Sequence, residues 1–213
     1  MWRAFLFCLF PLPALACETA LILTIDVSNS IDVAEYRIQT DGLADALADP
    51  DVIETLVQGE SALTVVQWSG TDKQEVSLDW RQMRTSLDVE AFATEVRMMP
   101  RAFVLSDTAP AEAILFSLDH FRTAPACERR VIDVSGDGTP NSGGETRTAR
   151  NLAERAGVTI NAIAIESMGL AITNFYRGAV ITRNGFVVTA RTHRDYPRAI
   201  RTKLIRELSQ VLG

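Results

Sequence analysis

The chain has 213 residues, 47% hydrophobic and 23% charged, with a formal net charge of −6. That length and composition fit one globular domain with a sizeable core. The acidic balance gives a nucleic-acid role no general electrostatic support.

Residues 1–16 read apart from that domain. Met1-Trp2-Arg3 carries a positive charge, Ala4 to Pro13 is apolar, and Ala14-Leu15-Ala16 precedes Cys17. This is the pattern of a secretory signal cleaved after Ala16. The apolar run is shorter than the ~20 residues that span a bilayer. The expected location is periplasmic or secreted. Lipid attachment at Cys17 is the alternative, although Ala14 stands where such signals usually carry Leu. Cys8 would leave with the signal, so Cys17 and Cys127 remain. Two cysteines in an exported chain point to one disulfide, with two free thiols as the alternative.

The mature chain, residues 17–213, alternates strands with helices. Residues 20–27 form a first strand, an apolar run with β-branched residues that reads as buried on both faces. A helix follows, capped by Ser30 or by Asp32 with Glu35, with Tyr36, Leu43 and Leu47 inward, and Asp49-Pro50-Asp51 ends it. Val52 to Val57 adds a further helical turn. Residues 62–68 form a second strand. Residues 74–80 form a third, antiparallel to it across a short turn. Ser86 is expected to cap a helix that runs to about Met99, with Phe92, Val96 and Met99 inward. After a loop over 101–107, a helix from about Ala109 to Phe121 places Ile114, Leu115, Leu118 and Phe121 on one face.

Residues 129–135 form the fourth strand, with Val-Ile-Asp-Val at its centre, and a Gly-rich loop covers 136–144. A helix over 145–156 ends at Gly157. The fifth strand covers 158–165, a helical segment about 170–180, the sixth strand 186–189, and a last amphipathic helix 195–212. Such alternation predicts an α/β fold, a mostly parallel sheet with helices on both faces.

Three loops carry the chemistry. They are Asp26-Val27-Ser28-Asn29-Ser30, Ser106-Asp107-Thr108 and Ser135-Gly136-Asp137-Gly138. Loops at the carboxyl ends of central strands converge where a doubly wound sheet reverses its order. Asp26, Ser28, Ser30, Thr108 and Asp137 would then offer oxygens to one hard cation, Mg²⁺ or, alternatively, Mn²⁺ or Ca²⁺. For Asp26-x-Ser28-x-Ser30 alone, a helix cap is the other reading.

Asp-x-Ser-x-Ser, then a lone Thr, then Asp-Gly after a strand resembles the von Willebrand factor A domain, over about residues 19–212. The three loops match its metal-ion-dependent adhesion site. More narrowly, Val-Ile-Asp-Val-Ser-Gly-Asp-Gly and the segment from Phe175-Tyr176 to Phe186-Val187-Val188 resemble an exported bacterial family of unassigned function. The resemblance implies a Rossmann-like six-stranded sheet, order 3-2-1-4-5-6, with one antiparallel edge strand. Strands one and four are then neighbours, which supports a Cys17–Cys127 bridge. It also implies a protein ligand whose Asp or Glu completes the ion's coordination.

Some residues depart from the pattern or lie outside it. Asp107 stands where the family often has Gly, and is read as pointing away and capping the next helix. Asp133 is read as paired with Arg129 or Arg130, or as polar at the sheet edge. His120 and His193 are read as surface residues. From Arg177 onward, eight Lys and Arg face Asp195 and Glu207 alone. They are read as a solvated helix face, with attraction to an anionic membrane or acidic partner as the alternative. No Gly-x-Ser-x-Gly elbow and no P-loop is present. The expectation is a binding module rather than an enzyme. A metal-dependent hydrolase and a structural domain without metal are the alternatives.

Overall fold

A computed structural model describes residues 17–167 and 169–209. The expected signal segment lies outside them. The six strands are β1 (Thr19–Asp26), β2 (Ala62–Trp68), β3 (Gln74–Gln82), β4 (Arg129–Gly136), β5 (Thr159–Ile165) and β6 (Val187–Ala190). Their order is β3-β2-β1-β4-β5-β6. Only β2 and β3 pair antiparallel.

Side-chain alternation explains the two layers. In β1, Leu21, Leu23 and Ile25 enter one core while Ala20 and Ile22 enter the other. A strand apolar at every position needs cover on both faces. On the first face lie α1 (Val33–Leu47), α2 (Pro50–Gln58), α3 (Ser86–Met98) and α7 (Tyr196–Ser209). On the second lie α4 (Pro110–His120), α5 (Thr146–Arg155) and α6 (Ala171–Phe175), which continues into a π-helical turn over Tyr176–Val180.

The helix starts differ from expectation where local polar groups compete. Asp32, not Ser30, caps α1 in a capping box with Glu35. Thr85, not Ser86, caps α3, because its hydroxyl reaches the Asp88 N–H. Asp49-Pro50 ends one helix and opens a separate one, with Asp49 as the cap and Pro50 at the first position. In α4, Ile114 is buried, whereas Leu115 is 37% exposed and Ser117 faces inward.

Asp133 contradicts both sequence readings. It lies in central strand β4, between Ile132 and Val134, so it faces α7. Lys203 Nζ meets its Oδ2 at 2.7 Å and Glu207 Oε2 at 2.8 Å. Asn161 donates to Glu207 Oε1 at 2.6 Å. Lys203 is completely buried, so it is no part of a solvated basic face. Burial, opposed by the Lys203 charge, pushes the Asp133 carboxyl up to about 7.

Cys17 and Cys127 form a disulfide across 110 residues, with Cα atoms 4.5 Å apart. Thr19 pairs with Arg129 in the β1–β4 register, and stepping back two places brings the cysteines opposite each other. The bridge pins the start of β1 at the sheet end opposite the three loops.

Two stability effects follow. Cys17→Ser/Cys127→Ser should cost about 2–5 kcal/mol, the usual loss for a bridge closing a long loop. The denaturant midpoint with and without reductant checks this. Lys203→Met leaves two buried acids uncompensated and should cost about 3–5 kcal/mol, measured by the same unfolding curve.

Candidate metal centre

β1 delivers Asp26 as its last residue, and the backbone then turns sharply. The Ser28 N–H donates to Asp26 Oδ1 at 2.7 Å, and the Ile31 N–H to the Ser28 carbonyl at 3.0 Å. Arg101 Nη2 props the same turn from outside, donating to the Val27 and Ser28 carbonyls at 2.8 and 2.9 Å. With Asp32 taking the cap of α1, Ser30 is left free to face the third loop. Its hydroxyl donates to Asp137 Oδ1 at 2.5 Å and lies 3.1 Å from the Ser28 hydroxyl.

Backbone bonds hold the three loops together. The Asn29 N–H donates to the Ser106 carbonyl at 2.8 Å. The Asn141 N–H donates to the Thr108 carbonyl at 3.1 Å, and Asn141 Oδ1 accepts the Thr108 N–H at 2.8 Å. Thr108 is buried against Gly138, where a Cβ would lie 3.5 Å from its hydroxyl. Asp26, Ser28, Ser30 and Asp137 thus form one connected cluster. Thr108 borders it through Gly138, with no hydrogen bond from its hydroxyl to the other four among the described residues.

The electrostatics single out Asp26. It is completely buried, and its Oδ2 has no hydrogen-bond partner. Burial first, then the Asp137 charge, pushes its carboxyl up to about 7 against the bonds from Ser28. Burial likewise raises Asp137 above the ordinary carboxylate range, against the Ser30 bond and the His193 ring. An ionised carboxylate held this way is costly unless a cation neutralises it. Two carboxylates and three hydroxyls, with one buried oxygen unspent, are a donor set that fits a hard divalent ion. Among the described residues no group of three or more His, Cys, Asp or Glu is arranged to hold a metal ion, so the candidate set depends on its hydroxyls. The hydroxyl-rich set stands on its own.

Gly136 is required here by space. A Cβ would come within 2.5 Å of the Tyr176 hydroxyl and 2.8 Å of Asp26 Oδ2. Tyr176 is fully buried with its hydroxyl unpartnered, and burial together with Asp26, Asp137 and Asp133 keeps it protonated. The sequence assigns no role to Tyr176 or Arg101, and to Glu35 only the capping role beside Asp32 that it fills. It also misplaced His193, whose Nδ1 lies 2.9 Å from Glu35 Oε1 and whose Nε2 lies 3.7 Å from Asp137 Oδ2. No local pattern marks such residues, since their neighbours come from distant segments. His120 is likewise half-buried, stacked on Trp80 at 5.3 Å with Thr64 Oγ1 at 3.2 Å. Asp107 is exposed beside the β2–β3 turn, and α4 begins without a side-chain cap.

The model of a family described as protein of unknown function, DUF1194, matches residues 16–212. No curated protein matches the chain. Proximal thread matrix protein 1 from the mussel byssus aligns with a TM-score of 0.68 at 17% identity, over 88% of this chain and 47% of that one. A structure of the same protein with a zinc-occupied MIDAS motif aligns at 0.68 and 19%, over 91% and 48%. The vWF domain of the type V pili tip protein Mfa5 from Porphyromonas gingivalis aligns at 0.64 and 10%, over 93% and 96%. Identities this low speak for the fold alone, and the chain spans less than half the mussel protein's length. With the strand order and the 16–212 match together, the chain belongs to the DUF1194 family and has the fold of a von Willebrand factor A domain.

Proposed function

We propose that this chain is an exported protein-binding module that captures an acidic side chain of a partner through a divalent cation. The observation that carries the reading is Asp26 Oδ2, buried and unpartnered beside Ser28, Ser30 and Asp137. Asp26, Ser28, Ser30, Thr108 and Asp137 would hold the ion, and Mg²⁺ suits their oxygens, with Mn²⁺ or Ca²⁺ as alternatives. The bound ion would supply a Lewis-acidic position for the partner's Asp or Glu oxygen. The zinc-occupied motif of the mussel protein supports a divalent ion in general.

The surroundings favour a protein ligand. Val33 is 74% exposed three residues after Ser30, and Val104 and Leu105 are 62% and 84% exposed just before Thr108. These side chains would give a partner apolar contact close in sequence to the candidate ligands. Leu105 also keeps φ at +51°, a backbone that costs an L residue about 1–2 kcal/mol and concentrates at functional loops. Among the described residues no helix is long and apolar enough to cross a membrane. Residues 1–16 are proposed as the export signal, and periplasmic or secreted placement follows from that proposal.

Asp26→Asn separates the ion from the fold. Saturating Mg²⁺ should raise the wild-type Tm by about 5–10 °C at a hundredfold excess over Kd and leave the variant unmoved, as a thermal melt would read. Without metal the sign reverses. A carboxyl raised in the folded state costs stability progressively as pH rises from its ordinary value to about 7 and keeps that full cost above it, so the variant should match or exceed wild type at pH 8. The difference should shrink as pH falls from 7 toward 4, which denaturant curves at several pH values check. Partner capture from envelope extract should disappear with chelator, return with Mg²⁺, and be absent in Asp26→Asn. Retention of the same partners after complete metal removal would refute the mechanism.

A further inference from the structure

His193 lies in a short turn before α7, far in sequence from the three loops, yet its ring joins them. It is largely buried, at 14% exposure, between carboxylates from two other segments. Glu35 Oε1, on α1, meets Nδ1 at 2.9 Å, and Asp137 Oδ2 faces Nε2 at 3.7 Å. Nε2 is buried and has no hydrogen-bond partner. Glu35 is itself immobilised, because its Oε2 accepts the Asp32 N–H at 2.8 Å while the Glu35 N–H donates to Asp32 Oδ1 at 2.7 Å. The start of α1 therefore sets where the ring sits, and the ring sets what Asp137 Oδ2 faces.

Asp137 is flanked on both sides, hydrogen-bonded on one and faced by the ring on the other. Ser30 holds Oδ1, and His193 stands against Oδ2. A carboxylate hydrogen-bonded at one oxygen and hemmed in by a ring at the other has less torsional freedom to lose when it meets an ion. The same ring lines a cleft of about 840 Å³ with Ser30, Asp32, Glu35, Asp137 and Arg194. The cleft opens directly beside the candidate ligands.

We propose that His193, oriented by Glu35, is a positioning residue that holds Asp137 in its metal-binding orientation. The inference rests on the metal site proposed above. Partners of this kind, which orient a ligand without touching the ion, typically change metal affinity 10–100-fold when removed. A ring that merely fastened the turn before α7 to α1 would instead lower the stability of the metal-free protein and leave affinity alone.

The experiment is a Mn²⁺ titration of the disulfide-intact mature chain, read by the electron paramagnetic resonance of free Mn²⁺, with metal-free melting alongside. Asp26→Asn is the control for the site. His193→Ala should bind Mn²⁺ about 10–100-fold more weakly. His193→Gln, which returns an amide near the Nε2 position, should recover most of that loss. Glu35→Gln should weaken binding in the same direction, and adding it to His193→Ala should bring little further loss, as coupled residues do. Should His193→Ala fold poorly, His193→Gln and Glu35→Gln carry the comparison, with affinity in the order wild type, His193→Gln, Glu35→Gln. If wild type binds Mn²⁺, Asp26→Asn does not, and every His193 and Glu35 variant binds as wild type does, the positioning role is overturned while the metal site stands. If wild type itself binds no Mn²⁺, the metal site fails and the positioning role fails with it.

Discussion

One buried carboxylate organises this molecule. Asp26 ends the central strand of a sheet covered on both faces, fully buried and with one oxygen that no protein group satisfies. Its carboxyl stands near 7, chiefly because of burial. A buried carboxylate with an unspent oxygen is costly to keep, and such groups concentrate at functional sites. The surrounding loops are built accordingly. They supply hydroxyls and a second carboxylate rather than a base that would neutralise Asp26 outright.

The rest of the fold keeps that strand end in place. Six strands in the order β3-β2-β1-β4-β5-β6 put β1 and β4 side by side, so Asp26 and Asp137 emerge at one edge. The Cys17–Cys127 bridge locks the other end of the same pair. Between the two ends, Asp133 on β4 anchors α7 through Lys203. Two aspartates in different surroundings thus lie four residues apart, Asp133 within β4 and Asp137 just past its end. Asp133 has a buried ammonium as its partner. Asp137 has a hydroxyl and an imidazole, partners that leave its charge available.

The turn before α7 gives the C-terminal segment a part in the site. The many basic residues there have several fates, because a helix face, a buried core position and a turn are different environments. Lys203 is buried in an ion network, Arg198 pairs with Asp195 at 2.6 Å, and Arg201 reaches Asp49 at 2.6 Å. Net charge along a segment says little about which of these each residue meets.

The sequence by itself determined the strand and helix alternation and, through its family resemblance, the sheet order, and it singled out Asp26, Ser28 and Ser30, which the structure brings together with Asp137. These follow from local patterns: apolar runs with two-residue or helical period, and chemistry-bearing residues at the ends of strands. The Cys17–Cys127 pairing was legible once strands one and four were taken as neighbours. Only the tertiary structure decided what Asp133 pairs with, where Lys203 goes, and which residues stand behind Asp137. Glu35, Tyr176 and His193 reach the loops from segments far apart in the chain, and Gly136 matters only because a tyrosine hydroxyl and a carboxylate crowd its Cα. Contacts set by packing three or four elements together leave no periodic trace along any one of them.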